Sequence, residues 1–139
     1  TVQIWNPANP GDTIATYASS GGSDVTSLVQ LNNGNVASAD RDGTVEIWSP
    51  ANPEIDISTY TGHNSAVTSV IQLTNGDIAS GADEVKVWNP SDPDTTVASY
   101  RGHGNRVGTR VNSMIQLDNG TIASADNIGD IRIWDPSQN

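Results

Sequence analysis

Apolar and polar residues alternate along this chain in short bursts, none long enough for a helix. At 45–48, Val-Glu-Ile-Trp puts Val45 and Ile47 on one side and Glu46 on the other, the two-residue period of an extended strand. The stretches 67–73 and 78–80 are similarly short and rich in Val, Ile and Thr, residues that suit a pleated, half-buried surface. Between such stretches stand Asn33-Gly34, Asn75-Gly76 and Asn119-Gly120. Asn-Gly between apolar runs is the strongest short hairpin signal and predicts type I′ turns, with positive φ at both central residues. A second turn, Asp40-Arg41-Asp42-Gly43, leads into the Trp48 strand. After it come paired prolines, Pro7/Pro10, Pro50/Pro53 and Pro90/Pro93. Proline cannot donate to a ladder, so these stretches are predicted as loops, each followed by a further strand such as 13–17. The whole pattern is all-β.

The pattern also repeats. Trp5, Trp48, Trp88 and Trp134 are spaced 43, 40 and 46 residues apart, and Tyr17, Tyr60 and Tyr100 each follow a Trp by twelve. Residues 28–39, 70–81 and 114–125 share Gln-Leu-x-Asn-Gly and a short apolar segment ending in Ala-Ser. Variation in the period is confined to two loops, as stacked units with fixed strands require. The chain reads as one segment, 1–139, of three units at about 6–48, 49–88 and 89–134, with an extra Trp strand at 1–5. Each period holds four antiparallel strands.

Charge narrows the partners. Sixteen acidic residues against six basic ones give a formal net charge of −10, and such a surface repels phosphate backbones and anionic lipid. Neither a nucleic acid nor a membrane is expected as a partner. No apolar run approaches the roughly 20 residues of a membrane-crossing helix, and no basic-then-apolar leader opens the sequence. With no cysteine there is no disulfide or thiolate chemistry, and no compartment can be read from that absence.

A four-stranded unit of about 40–45 residues ending in a Trp strand is the period of one β-propeller blade, and here the sequence resembles the WD-repeat β-propellers along essentially its whole length. The resemblance rests on Gly62-His63 and Gly102-His103, on Ser38, Ser80 and Ser124, and on Trp48, Trp88 and Trp134. In that family a His, a Ser or Thr, a turn Asp and the Trp form a hydrogen-bonded set that braces each blade. The resemblance therefore gives His63, His103, Ser38, Ser80, Ser124, Trp48, Trp88 and Trp134 bracing roles, with Asp42 as the turn Asp of the first unit. That unit has Ala-Ser-Ser-Gly-Gly-Ser-Asp at 18–24 in place of Gly-His. The third has Ile128 at the Asp position, and the second has Ala82 there. No unit is expected to carry the complete set.

Chemistry beyond bracing is sparse. His63 and His103 lie in equivalent loops of different units, which a ring holds apart, so a bracing role is expected for them rather than a catalytic or metal-binding pair. The 40–43 turn lacks the further acidic ligands of a calcium loop. The spaced prolines recur in every inter-strand loop and read as rigid connections. Asn119-Gly120-Thr121 is formally a glycosylation sequon placed in a hairpin turn. No metal, cofactor or catalytic residue is expected, and the chain reads as no enzyme. One loop is distinctive: residues 100–111 carry Arg101, Arg106 and Arg110, half of all the basic residues. In the resembled family such loops open on one rim, so the three arginines are either an anion or acidic-peptide site or a local balance for nearby carboxylates.

Three units cannot close a ring of the usual four to eight blades, and two apolar blade faces would lie open. Association of the chain with itself is the expectation, nine blades from a homotrimer or six from a homodimer, unless the chain is a stretch of a longer array. In such a ring, residues 1–5 of one copy compete with 131–134 of the next for a single slot. The resemblance implies an interaction scaffold for a protein or peptide. The alternatives are a small-anion or glycan-binding propeller, or an engineered or duplicated fragment whose only activity is self-assembly.

Overall fold

Thirteen strands and no helix form among residues 1–103 and 107–138, which the computed structural model describes. β1 (Val2–Asn6) and β2 (Asn9–Tyr17) make a two-stranded sheet. β3 (Val25–Gln30), β4 (Val36–Asp40), β5 (Val45–Ser49) and β6 (Asn52–Tyr60) make a four-stranded meander, and β7 (Ser69–Gln72), β8 (Ile78–Gly81), β9 (Val85–Asn89) and β10 (Asp92–Tyr100) make another. β11 (Val111–Gln116), β12 (Ile122–Asp126) and β13 (Ile131–Trp134) complete the chain as three strands. Every pairing is antiparallel. The first strands of the three larger sheets, β3, β7 and β11, lie side by side, so the sheets fan out from a shared inner edge. The outermost strand of each four-stranded sheet follows its Trp strand, so sheet and sequence period are out of phase by one strand.

Two local expectations change. The Asn-Gly turns are not type I′, because no residue other than glycine has positive φ. Instead Gly34 donates to Leu31 O at 2.9 Å and Leu31 N to Asn35 O at 2.8 Å, with Gly34 at φ +88°. This is the three-residue hairpin loop in which Gly alone takes the left-handed position, and it recurs at Gly76 and Gly120. Asn33 serves through its side chain, accepting from Asn35 N at 3.0 Å. The prolines also divide. Pro10, Pro53 and Pro93 lie inside β2, β6 and β10, because an outermost strand has a free side on which a missing N–H costs no ladder bond.

Packing is between sheets. Leu31, Ala37, Ala39, Val45 and Ile47 of the first four-stranded sheet pack with Val70, Ile78 and Trp88 of the second. Leu73, Ala79, Val85 and Val87 of the second pack in the same way with Val111, Met114 and Ile122 of the third. Small residues permit the close approach: a Cβ on Gly81 would meet Val111 Cγ1 at 2.9 Å. Ala and Gly on one face and Val, Ile, Met and Trp on the other interlock as large against small.

Candidate functional site

Trp48 and Trp88 brace their own sheets, whereas the expected Trp134 brace is not formed, its Nε1 being buried without a hydrogen-bond partner, and Trp5 is half exposed. Trp48 Nε1 donates to Ser38 Oγ, and Trp88 Nε1 to Ser80 Oγ, both at 3.2 Å. His63 Nε2 lies 2.7 Å from Ser80 Oγ and His103 Nε2 lies 2.6 Å from Ser124 Oγ. Trp48, Trp88 and Trp134 are each also covered by a tyrosine reaching in from the preceding sheet. Tyr17 stacks on Trp48 at 4.4 Å, Tyr60 on Trp88 at 4.6 Å and Tyr100 on Trp134 at 5.0 Å, all within 4° of parallel. The twelve-residue Trp-to-Tyr spacing shows that the tyrosines repeat with the Trp strands, but each tyrosine stacks on the Trp of the following sheet, which that spacing does not reveal.

Asp42 does not brace the first sheet. It is exposed and holds only its own turn, accepting from Thr44 N and Thr44 Oγ1. The bracing carboxylate sits two residues earlier: Asp126 Oδ2 is 3.0 Å from His103 Nδ1, and Asp40 occupies the equivalent place. The third sheet therefore has its Asp despite Ile128. The second has none, because its shortened turn puts Ala82 there, and His63 Nδ1 is buried without a partner. Burial, and then the charge of Lys86, push the His63 imidazole down to about 4. Asp126 falls below the usual carboxylate range: burial opposes this, but hydrogen bonds from Asp130 N, His103 and Ile128 N outweigh it.

The first sheet replaces histidine with buried carboxylates. Ser19 Oγ donates to Asp40 Oδ2 at 2.7 Å, leaving Oδ1 unpaired. Ser20 donates to Glu46 Oε1 through its hydroxyl and its N–H, and Tyr17 Oη lies 2.6 Å from Glu46 Oε2 and 2.7 Å from Asp56 Oδ1. Burial raises Glu46, but the Ser20 and Tyr17 hydrogen bonds more than offset it and its carboxyl is lowered. Burial pushes Asp40 up to about 6 and, with the Glu46 and Asp56 bonds, keeps the Tyr17 phenol protonated.

Asp40 and His63 thus bias stability in opposite directions. His63 binds fewer protons folded than unfolded between its ordinary 6.5 and about 4, so it destabilises as pH falls through that window. Asp40 binds more protons folded between its ordinary 3.8 and about 6, so it destabilises as pH rises. At about 1.4 kcal/mol per pKa unit, each effect is on the order of 3 kcal/mol. Asp40→Asn is expected to raise stability at pH 7 and to expose the His63 slope, becoming less stable from pH 6.5 to about 5, above the range in which the lowered Glu46, Glu84 and Asp126 carboxyls begin to lose their own contribution, while the parent stays nearly flat there. Urea unfolding across that range measures it, and parallel curves for the two proteins would refute the assignment.

At the rim, Arg101 Nε is 2.7 Å from Glu84 Oε2, and Lys86 Nζ is 3.0 Å from Glu84 Oε1. Burial works against the Glu84 charge, but these two cations win and its carboxyl is lowered. Arg101 is therefore committed to a carboxylate. Arg106 lies outside the described residues. Arg110 is exposed, with its backbone tied to Asn127, and no carboxylate pairs with it among the described residues.

A cleft of about 840 Å³ runs along the inner strands, lined by Gln30, Ile71, Gln72, Met114, Gln116 and Asp118 among others. Among the described residues no His, Lys, Arg or Ser lines it. His103 between Asp126 and Ser124 has the connectivity of a hydrolytic triad. However, Ser124 is buried and the His103 and Asp126 side chains are fully enclosed, so no substrate reaches the hydroxyl. The arrangement is a brace.

The outer faces of the arc are open. Val70 and Met114 are buried at 4% and 5% exposure, but Leu28, at the same position of the first sheet, is 48% exposed. Val45 and Val85 are fully buried and Ile47 and Val87 nearly so, yet Ile131 and Ile133, which repeat them, are 73% and 64% exposed.

Four-stranded antiparallel sheets fanned about an inner edge, each with a braced Trp on its third strand, are the blades of a β-propeller. More particularly, the fold is that of the WD40 β-propellers, present here as an arc. The crystal structure of the WD40 propeller domain of Doa1 superposes with a TM-score of 0.78 at 23% identity, over 94% of this chain and 42% of that one. The computationally designed protein Ika4 gives 0.74 at 26%, over 95% of this chain and 77% of that one. A chain of the mitotic checkpoint complex gives 0.73 at 26%, over 88% of this chain and 38% of that one. This chain thus spans less than half of the Doa1 domain and of the checkpoint chain. No family model and no curated protein matches the sequence.

Proposed function

We propose that the chain is a non-enzymatic scaffold that closes into a ring with copies of itself, nine blades from three chains or six from two, and offers its rim loops to a protein or peptide. One observation carries the reading: Leu28 at one end of the arc and Ile131 and Ile133 at the other are open, although their repeats are the core of the two interfaces between blades. Apolar faces of this kind mark association surfaces, and head-to-tail copies of one chain close them cyclically. The presence of a mitotic checkpoint complex chain among the structural neighbours supports an interaction role, because that propeller is part of an assembly. The enclosure of the Ser124–His103–Asp126 brace supports the absence of enzymatic chemistry.

Arg110 is the one described rim arginine whose charge is not already taken, and it favours an acidic peptide. A peptide-display screen against the assembled protein is expected to enrich sequences whose binding falls at least tenfold, about 1.4 kcal/mol, in Arg110→Glu and is kept in Asp77→Ala. No enrichment, or enrichment indifferent to Arg110, would remove the rim from the reading.

A further inference from the structure

A ring of three-blade chains has twelve strand positions per chain, and this chain forms thirteen strands. We propose that β1 is a displaceable cover. It holds the edge of β2 in the single chain and leaves when β13 of a second copy takes its place. The inference rests on the self-association proposed above.

The occupant is identified by what the ends of the arc leave unmatched. Three contacts between neighbouring sheets occur twice within the chain. Thr26 Oγ1 donates to Val67 O, and Thr68 Oγ1 to Val111 O. Asn32 N donates to Gln72 Oε1 and Thr74 N to Gln116 Oε1, both at 2.8 Å. Tyr17 Oη meets Asp56 Oδ1 and Tyr60 Oη meets Thr96 Oγ1, both at 2.7 Å. Carrying the repeat one step further gives a third instance of each, with its halves at opposite ends. Asn112, Asp118 N and the Tyr100 hydroxyl stand at one end, and Val25 O, the Gln30 amide and the Thr13 hydroxyl at the other. Among the described residues, the Asn112, Gln30, Tyr100 and Thr13 side chains make no hydrogen bond within the chain. A second copy placed head to tail closes all three contacts, and Thr13 then places β2 as the fourth strand of the β11–β13 sheet.

β2 can take only one Trp strand. Val2-Gln3-Ile4-Trp5 and Ile131-Arg132-Ile133-Trp134 carry the same pattern, so β13 fits the register in which Val2 pairs with Tyr17 and Ile4 with Ala15. Three features keep β13 in place and let β1 go. Trp134 is already stacked on Tyr100, whereas Trp5 is half exposed and stacks on no ring. The turn into β13 is held by Asp126 N to Asp130 O, Ile128 N to Asp126 Oδ1 and Asp130 N to Asp126 Oδ1, at 2.9–3.0 Å. At the β1–β2 connection the side-chain holds are Ala8 N to Asn6 Oδ1, which Ser137 N to Asp135 Oδ1 repeats after β13, and Asn9 Nδ2 to Asp12 Oδ2. Finally, β1 sits loosely, with clefts of about 420 and 340 Å³ between it and Val25, Leu28, Val36 and Trp48. β11 and β12 of the second copy would fill that space. An edge strand that is covered until a correct partner arrives also guards against unselective pairing.

The chain has no cysteine, so introduced pairs report cleanly. In the full-length protein, Ala15→Cys with Ile133→Cys is expected to cross-link between chains under oxidation, and Ile4→Cys with Ala123→Cys is not. Cross-linking of the second pair between chains, alone or together with the first, overturns the exchange. Neither pair cross-linking in a protein whose light scattering still gives a closed oligomer also overturns it, leaving self-association intact. Single chains at every concentration would sink the self-association reading itself, and the exchange with it. Deleting residues 1–6 is expected to shift assembly to lower concentration, and loss of assembly in that variant would contradict the proposal.

Discussion

Trp88→Ala is expected to cost about 3–5 kcal/mol of unfolding free energy, the range for emptying a large aromatic site in a packed core. Trp88 is fully buried in the interface between the two four-stranded sheets. Its ring lies flat on Tyr60 at 4.6 Å, and its Nε1 satisfies Ser80 Oγ, which also faces His63. Alanine therefore removes the stack, opens a cavity and leaves buried polar groups unsatisfied, and the last of these adds to the loss of apolar contact. Against a total of roughly 5–15 kcal/mol for a domain, the variant stands at the edge of unfolding at 25 °C. Trp88→Phe restores most of the ring but not the N–H, and should recover about half of the loss. Trp5→Ala is the matched control: this ring is half exposed, and little change is expected. Urea unfolding followed by far-UV circular dichroism measures all three, and a Trp88→Ala cost under about 1 kcal/mol would contradict the packing described.

Paired substitution of Ile131→Glu and Ile133→Glu should abolish assembly while leaving the single chain as stable as before. Both side chains are open in the isolated arc, so a carboxylate there remains in water. In a closed ring they occupy the positions of Val45 and Ile47, buried against Val70 of the next blade, where an unpaired charge costs several kcal/mol. Even about 4 kcal/mol per joint lowers an association constant about a thousandfold. Sedimentation velocity reads the loss of assembly and urea unfolding the retained stability. A variant that still assembles would place these residues outside the joint, and one that unfolds would mean the face is already covered in the single chain.

Strands, their repeat and the inward Trp were legible because they depend on short-range pattern: a two-residue period, an Asn-Gly pair, a Trp every 40 or so residues. The braces were legible in part. Ser38, Ser80, Ser124, His63 and His103 could be assigned from the resemblance, but Asp42 could not be told from Asp40 by counting. Which carboxylate turns inward depends on the backbone of the turn, and two acids two residues apart on a strand end share a face. The Asn-Gly turns were placed correctly yet mistyped, because a glycine φ of about +90° serves either hairpin class and only the hydrogen-bond pattern separates them. The tyrosine stacks join sheets through side chains distant in sequence, and so does the Asp40–Glu46–Tyr17 cluster. A net charge of −10 gave no hint that four of its acids, Asp40, Glu46, Glu84 and Asp126, are buried. For the arginines the sequence left two readings open; Arg101 is balanced by Glu84, and of the two arginines among the described residues Arg110 keeps the other alive.

Whether the arc closes on copies of itself is read by multi-angle light scattering on the purified chain over a wide concentration range. One species is expected at two or three times the 14.6 kDa chain mass, unchanged above its assembly threshold, because a closed ring has no open face left to extend. A mass of one chain at all concentrations, or a mass that keeps rising without limit, would contradict it.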